Sequence, residues 1–268
     1  STSLIASDRL DTNDYTFFFK HLSFVFLGII IIFILSSIKE EKLFKLSPVI
    51  FLFALISLFL VPIIGVEVNS AQRWIDLYFL PRFQPIEIVK PFLIILISLI
   101  LSTEKYANIY FKYLFSFLIT LIVALLLAAQ PDIGQTLLVF FSWSVLIFIS
   151  GINIIFLVTS CSILSLALYY SIKFVPRFEY IKSRILSFFN TETGTHNAQS
   201  EKAIDSISSG GYFGKGIGEG TLKNRVPEAH TDYIISVISE EFGIIAIILI
   251  LLLFLIFIYS VFKKVYLE

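Results

Sequence analysis

The stretch 226–243, VPEAHTDYIISVISEEFG, closes a long polar loop and opens an apolar run that continues to about residue 260. Thr231 is a suitable N-cap residue, and Asp232 then lies in the first helical turn, where the helix dipole stabilises a carboxylate. Glu240 and Glu241 follow two turns further along the same helix. Ionisable groups at the mouth of a membrane helix predict a functional site.

The composition places the chain in the membrane class. Of its 268 residues 57% are hydrophobic, 29 are Phe and only 15% are charged. Long uncharged runs of this kind are typical of membrane spans and not of soluble domains. The net charge of zero argues against a nucleic-acid partner. The single cysteine, Cys161, excludes an internal disulfide.

Seven apolar runs are each long enough to cross a bilayer as a helix. They predict spans at about 17–37, 46–66, 86–102, 112–129, 134–150, 152–175 and 231–260. The sequence therefore predicts an all-α polytopic membrane protein, with a bundle of about seven transmembrane helices in a single domain over 1–268. A long extracytoplasmic loop is expected at 176–230. Because the chain contains no Met, we expect a fragment of a longer protein.

Lysine-rich short loops indicate the cytoplasmic side. They lie between the first and second runs, between the third and fourth, and after the last run at Lys263 and Lys264. The opposite side then holds the loop 67–85, the turn 130–133 and the long loop, which is also basic. A loop that approaches about 60 residues has little weight in the positive-inside rule. We expect the basic outer loops to face an anionic ligand.

Two outer turns share a Gln-Pro-acid pattern. In the first, Pro85 suits the first position of a helix, and Glu87 can pair with Lys90 three residues later. This pattern is typical of an ordinary helix-end ion pair, but Arg73, Arg82 or Lys90 could also bind a phosphate at the membrane surface. The second turn, which begins at Gln130 and contains Asp132, has the same alternatives. Two such turns on one side suggest polar groups that converge on one cavity.

The long loop contains a glycine-rich segment with six of the chain's 12 glycines between Gly210 and Gly220. The spacing matches neither a phosphate-binding P-loop nor a dinucleotide fingerprint. One interpretation is a flexible surface loop. The alternative is a backbone that approaches a pyrophosphate closely, with Lys215 and Lys223 nearby.

The segment before the last run could hold a metal ion. Glu228, His230 and Asp232 alternate, so an extended segment can present all three to a divalent cation, Mg²⁺ or Mn²⁺. The alternative is that His230 is a hydrogen-bond partner and Asp232 a plain helix N-terminal acid. The sequence leaves this choice open.

Five motifs resemble the SEDS family of FtsW and RodA cell-wall polymerases, and they occur in family order. They are AQRWID (71–76), FQPIEIVKP (83–91), QPDIGQTLL (130–138), SSGGYFGKGIGEGT (208–221) and PEAHTDYIISVISEEFG (227–243). PEAHTD is more similar to the division branch, FtsW, than to RodA. Family members have ten membrane helices, so the resemblance implies that roughly the first and the last two lie outside this chain. Ser70 and Ile86 replace the family's usual glycine and serine, which affects only local turn geometry.

The resemblance implies an inverting peptidoglycan glycosyltransferase that polymerises lipid II on the outer face of the bacterial cytoplasmic membrane, at the division septum. Asp232 matches the family's catalytic acid and would accept the proton of the acceptor's 4-hydroxyl. The undecaprenyl pyrophosphate leaving group needs cations, a metal or N–H donors. The substrate-binding candidates are Arg73, Gln84, Glu87, Lys90, Gln130, Asp132, Lys215, Lys223, Glu228, His230 and Thr231. The expected partners are lipid II, a class B penicillin-binding transpeptidase, other division membrane proteins and membrane lipid.

Two rival functions belong to other classes. One is a lipid II flippase, which moves the precursor without chemistry, and the other is a non-catalytic division scaffold. A transporter favours charged or broken helices near the middle of the membrane, and often an inverted repeat. Here the ionisable groups crowd the outer ends of the helices and no repeat is visible, which favours chemistry at the surface.

Overall fold

The chain is predominantly helical. The computed structural model describes residues 14–68, 71–77, 80–103, 108–130, 132–174, 195–226, 229 and 233–267. The elements in chain order are α1 (Asp14–Ser37), α2 (Glu40–Ile64), β1 (Val66–Val68), β2 (Ala71–Leu77), β3 (Leu80–Phe83), α3 (Pro85–Ser102), α4 (Ile109–Ala129), α5 (Ile133–Ile149), α6 (Ile154–Phe174), α7 (Thr195–Ser209), a 3-10 turn (Leu222–Arg225) and α8 (Ile234–Leu267). Every predicted apolar run coincides with a helix, which confirms an all-α polytopic membrane fold.

Five of the described helices are long and apolar enough to cross a membrane, namely α1, α2, α3, α4 and α8. The fifth predicted run lies in α5, an apolar helix of 17 residues, and the sixth in α6, of 21 residues. Large apolar side chains cover the outer faces of these helices, and Phe53 and Ile63 are about 70% exposed. Such exposure is expected where lipid takes the place of water.

The described residues form two compact groups, 35–180 and 1–34 with 181–268. In the first group, α2 to α5 pack around a core in which Leu58, Val89 and Leu127 are fully buried. A buried polar contact lies within this core, where the Trp143 indole N–H donates to Ser116 Oγ at 3.1 Å. The pairing satisfies an indole that would otherwise be buried without a partner.

A three-stranded antiparallel sheet occupies the outer loop between α2 and α3, and the sequence analysis did not predict it. Val66 pairs with Trp74 and Val68 with Ala71 across a two-residue connection, Asn69-Ser70, that lies outside the described residues. The connection has Ser where the usual Asn-Gly hairpin signal has Gly, so this hairpin carries only a weak signal in the sequence. The segment between α2 and α3, which was predicted as a plain loop, is therefore a folded sheet next to α3.

The second group is built on α7 and the N-terminal part of α8, before the bend at Gly243. Ala203 of α7 packs with Val237 of α8, together with Val226 and Ala229 from the connecting segment. The helix α8 bends at Gly243, whose φ of 77° is in the left-handed region that favours glycine. The long loop therefore contains a packed helix, α7, that the sequence analysis did not predict.

Candidate functional site

Arg73 of the sheet links β2 to the turn between α4 and α5. Its Nε lies 3.5 Å from Asp132 Oδ2 and donates to the Gln130 carbonyl oxygen at 3.4 Å. The Gln130 side chain in turn donates to the Leu58 carbonyl of α2 at 3.3 Å. Asp132 also caps α5, since its Oδ1 accepts from the Gln135 amide at 3.4 Å. One arginine and one turn thus connect the sheet with α2, α4 and α5.

Glu87 and Lys90 form the predicted pair on α3, with Nζ 2.8 Å from the carboxylate. Pro85 is the first residue of α3 and Gln84 its N-cap, half-buried and without a capping side-chain bond. Gln135 of α5 donates its side-chain amide to Glu87 Oε1 at 3.4 Å. Glu87, which ends the first Gln-Pro-acid turn, and Gln135, which follows the second, thus share a hydrogen bond, and the common cavity that their pattern suggested stays a prediction.

Ion pairing determines how much positive charge the sheet and the start of α3 present to a ligand. Arg73 pairs with Asp132 and Lys90 with Glu87, and Arg82 Nε lies 2.7 Å from Asp76. The ordinary helix-end interpretation of the Glu87–Lys90 pair is thus observed directly. An incoming phosphate would have to share each of these cations with a carboxylate.

The glycine-rich loop is packed against α8 by its backbone. The amides of Lys215 and Gly216 donate to the carbonyls of Glu240 and Glu241 at 2.9 and 3.1 Å, and Gly218 N donates to Glu241 Oε1 at 3.2 Å. These N–H groups are engaged by the protein and are not directed at a ligand. These three amides are therefore occupied by protein acceptors, and the choice between a flexible loop and a pyrophosphate-binding backbone stays a prediction for the rest of the segment.

Close packing explains one glycine of the loop, Gly214, and the glycine at the bend of α8, Gly243. A Cβ added at Gly214 would collide with the Glu241 carbonyl, and one at Gly243 would collide with the Tyr212 carbonyl. Both residues also have positive φ, of 77° each. The glycines permit backbone-to-backbone contact between the loop and the bend of α8.

Glu240 is fully buried at the centre of this packing. Its Oε1 accepts from the Leu222 amide at 3.0 Å and lies 3.5 Å from Lys215 Nζ, while its Oε2 accepts from Ser206 Oγ at 3.1 Å. The carboxylate thus joins α7, the glycine loop and the 3-10 turn to α8. A buried carboxylate is stable only with such a set of donors.

Several predicted site residues lie outside the described part of the chain. Glu228, His230, Thr231 and Asp232 belong to this set, and so does the side chain of Lys223, whose backbone is in the 3-10 turn. Within the described ranges no group of three or more Asp, Glu, His or Cys side chains could hold a metal ion. The metal hypothesis for Glu228, His230 and Asp232 therefore stays a prediction.

The neighbours of the undescribed segment are nevertheless well anchored. Val226 and Ala229 are fully buried in the small core with Val237 and Ala203. Leu222 precedes Val226 by four residues, and its amide donates to Glu240 Oε1. Val226 and Ala229 are therefore packed in the core, and α8 begins at Ile234.

A cavity of about 490 Å³ lies elsewhere in the first group, among α4, α5 and α6. Its lining is mainly aromatic and aliphatic and contains none of the predicted site residues. Tyr113, Phe117, Trp143 and Cys161 are among the residues that line it.

Sequence reasoning missed two contributors to these networks. No role was predicted for Gln135 itself. It lies one turn after the Asp132 cap, and its side chain reaches Glu87 of α3. Ser206 carried no signal because α7 itself was not predicted. Glu240 was noted for its position in the helix, but its contacts with several elements were not predicted. The available clue was the pair Glu240-Glu241 close to Gly243.

Comparison with known proteins identifies the family. The chain is 30% identical over 247 residues to the Caulobacter vibrioides "Probable peptidoglycan glycosyltransferase FtsW" and 32% identical over 254 residues to the Haemophilus influenzae protein of the same name. These matches cover 91% and 92% of this chain but only 62% and 63% of those proteins.

Solved structures show the same fold. A chain in "Structural coordination of polymerization and crosslinking by a peptidoglycan synthase complex" superposes with a TM-score of 0.70 at 26% identity, over 89% of this chain and 67% of that one. Thermus thermophilus rod shape determining protein RodA superposes with a TM-score of 0.59 at 23% identity, over 98% of this chain and 70% of that one. Residues 1–266 also match the FtsW/RodA/SpoVE family of cell cycle proteins, and this multi-pass membrane chain belongs to that family.

Proposed function

We propose that the protein to which this chain belongs is a peptidoglycan glycosyltransferase that polymerises lipid II during cell division. Family membership and the two FtsW relatives support the activity. The observation that carries the proposal is the burial of Val226 and Ala229 against Val237 of α8, since these residues flank or belong to the PEAHTD motif. A general base acts efficiently only when its neighbours hold it in position.

The reaction we propose is a single inverting displacement. The acceptor sugar's 4-hydroxyl attacks the anomeric carbon of the donor while the bond to undecaprenyl pyrophosphate breaks. Asp232 accepts the hydroxyl proton as general base, and the pyrophosphate leaves with the bonding electron pair. A divalent cation held by Glu228, His230 and Asp232 is an additional proposal for neutralising the leaving group.

The paired charges described above support a positioning role for the outer network. Arg73 and Asp132 hold the sheet on the α4–α5 turn, and the Glu87–Lys90 pair is joined to α5 through Gln135. We propose that Arg73 and Lys90 bind the substrate's pyrophosphate by direct contact, in which a phosphate oxygen takes the place of the carboxylate partner.

We further propose that the protein acts at the septum in the cytoplasmic membrane with a class B penicillin-binding transpeptidase and other division proteins. The relation to a peptidoglycan synthase complex, whose published description names polymerisation and crosslinking, supports such a partner. Membrane lipid surrounds the apolar helix faces.

The test uses the purified full-length protein with its transpeptidase partner and labelled lipid II. Asp232→Asn is expected to lower the polymerisation rate by roughly 10²–10⁴-fold, the usual contribution of a general base. Asp205→Asn is the matched control, because Asp205 is an exposed carboxylate of α7 outside the quoted motifs. This control should polymerise at the rate of the unaltered protein.

Two results would contradict the proposal. Polymerisation by Asp232→Asn at the unaltered rate, with an unchanged melting temperature, would remove the general base. Lipid II scrambling in vesicles that also persists in Asp232→Asn, without glycan chains from the unaltered protein, would favour the flippase. Metal dependence is tested separately by chelation and by Glu228→Gln.

A further inference from the structure

The glycine-rich loop displays three large apolar side chains to its surroundings. Tyr212, Phe213 and Ile217 are 74%, 84% and 72% exposed. Exposed apolar groups gathered on one short segment indicate an interaction surface. They also flank Lys215, whose side chain is 38% exposed.

The backbone that carries these side chains is fixed. Gly214 N donates to the Gly210 carbonyl at 2.9 Å, and the amides of Ile244 and Ile245 donate to the carbonyls of Gly211 and Tyr212 at 2.9 and 3.4 Å. Lys215 and Gly216 add the bonds to α8 described above. A loop held at both edges presents its side chains in one arrangement and does not bury them by collapse.

The geometry of α8 gives the depth of this loop relative to the bilayer. From Ile244 to Phe262 the helix contains 19 consecutive residues without a charge, and Lys263 and Lys264 follow. At 1.5 Å per residue this segment is about 28 Å long, close to the thickness of the hydrocarbon core. This length fits a hydrocarbon segment whose edge lies at the bend at Gly243, with Glu240 and Glu241 beyond that edge.

The loop meets α8 at this edge. The amides of Ile244 and Ile245 are the first two of the apolar segment, and both are bonded to the loop. Ile245, Ile248 and Leu249 lie on one face of α8 and are about half exposed. The glycine-rich loop is thus hydrogen-bonded to the first residues of the apolar segment of α8.

We propose that Tyr212, Phe213 and Ile217 form an interfacial anchor that inserts into the outer leaflet beside α8. Aromatic side chains are enriched at the headgroup level of membranes, where their rings contact acyl chains and their polar groups remain hydrated. Lys215, between them, keeps its ammonium 3.5 Å from Glu240 Oε1 and is not part of the anchor. The anchor would hold the glycine loop, and with it the segment that leads to Asp232, at a constant depth.

Spin labelling of the full-length protein in nanodiscs of phosphatidylethanolamine and phosphatidylglycerol tests the anchor. Labels are attached at Phe213→Cys and Ile217→Cys in a cysteine-free background that includes Cys161→Ser. The matched control is Glu201→Cys, since α7 runs outward from the loop beside α8 and Glu201 is exposed. Collision rates are measured with molecular oxygen and with a water-soluble nickel chelate.

We expect both loop labels to collide with the nickel chelate several-fold less often than the Glu201→Cys label, and more often with oxygen. Equal nickel collision at all three positions would place the loop in water and overturn the proposal. Protection from both reagents would also overturn it, because the loop would then be covered by protein and not by lipid. Melting temperatures equal to that of the unlabelled protein show that the labels leave the fold intact.

Discussion

Replacing Glu240 tests whether one buried carboxylate holds the glycine loop to α8. In Glu240→Ala, the Leu222 amide and the Ser206 hydroxyl both lose an acceptor. Lys215 also loses its partner, but its side chain is 38% exposed and can be hydrated. The change in the stability of the loop should therefore depend on whether the Leu222 amide and the Ser206 hydroxyl find another acceptor, and not on the ion pair.

The contacts allow an estimate of the loss. A partly buried N–H such as that of Leu222, left without a partner, costs about 1 kcal/mol, the lower end of the range for a fully buried group. Ser206 can turn to the Ser236 carbonyl, 3.3 Å from its Oγ, and so adds little. The space left by the truncated side chain adds about 1 kcal/mol, and loss of the carboxylate's own desolvation penalty acts in the opposite direction. We expect the free energy of opening the loop to fall by about 2 kcal/mol.

Glu240→Gln is the matched control. Its side-chain carbonyl can still accept from Leu222, and its NH₂ can donate to Ser206 Oγ once that hydroxyl donates to Ser236. Loss of the charge at an ion pair that is open to water on one side should cost under about 1 kcal/mol. The alanine and glutamine variants therefore differ mainly in the bond to Leu222.

Amide hydrogen exchange measured by mass spectrometry on the full-length protein in nanodiscs separates these cases. A loss of about 2 kcal/mol raises exchange in peptides that cover 210–222 by roughly 30-fold, since 1.4 kcal/mol is tenfold. Peptides from 35–180 should not change. Equal exchange rates in the alanine and glutamine variants would refute the argument, because they would show that the acceptor for Leu222 is not what holds the loop.

Two further predictions concern packing and charge. Gly220→Ala should loosen the same peptides, because the added Cβ would lie 2.6 Å from Glu240 Cδ, whereas Gly28→Ala, with no atom within 4 Å of its Cβ, should leave exchange unchanged. If both variants behave alike, steric contact at Gly220 is not the cause. A double-mutant cycle of Arg73→Ala and Asp132→Ala should give a coupling energy of about 1 kcal/mol in thermal unfolding, as expected for a partly buried pair. Strict additivity would mean that the pair does not contribute to holding the sheet on the α4–α5 turn.

The elements that could be predicted from sequence are those set by local rules. Apolar runs longer than about 17 residues determine membrane helices, because a helix is the form in which a single segment satisfies its backbone groups within lipid. Pro85 at the start of α3 and the Asp132 cap of α5 follow from equally local chemistry. The Glu87–Lys90 pair follows from helical spacing alone.

The missing parts depend on contacts between distant residues. Arg73 and Asp132 are 59 positions apart, and Ser206 and Glu240 are 34 apart, so no periodicity relates them. The sheet was missed because its strands are short and its connection lacks the Gly that usually marks such a hairpin. The glycines at 210–220 indicated a special backbone conformation, but their reason, close contact with α8, is visible only in the fold.

The ion pairs limit how the proposed enzyme can bind a pyrophosphate. Arg73, Arg82, Lys90 and Lys215 are each within 3.5 Å of a carboxylate oxygen. A dianionic ligand is attracted by the cation of each pair and repelled by its carboxylate. The net attraction is therefore small when the ligand is farther from the pair than the cation is from the carboxylate. Binding at these residues therefore requires direct contact that displaces or reorients a carboxylate. Under the proposed function, Lys223 and Arg225, which precede Asp232 by nine and seven residues, offer further cations for the leaving group.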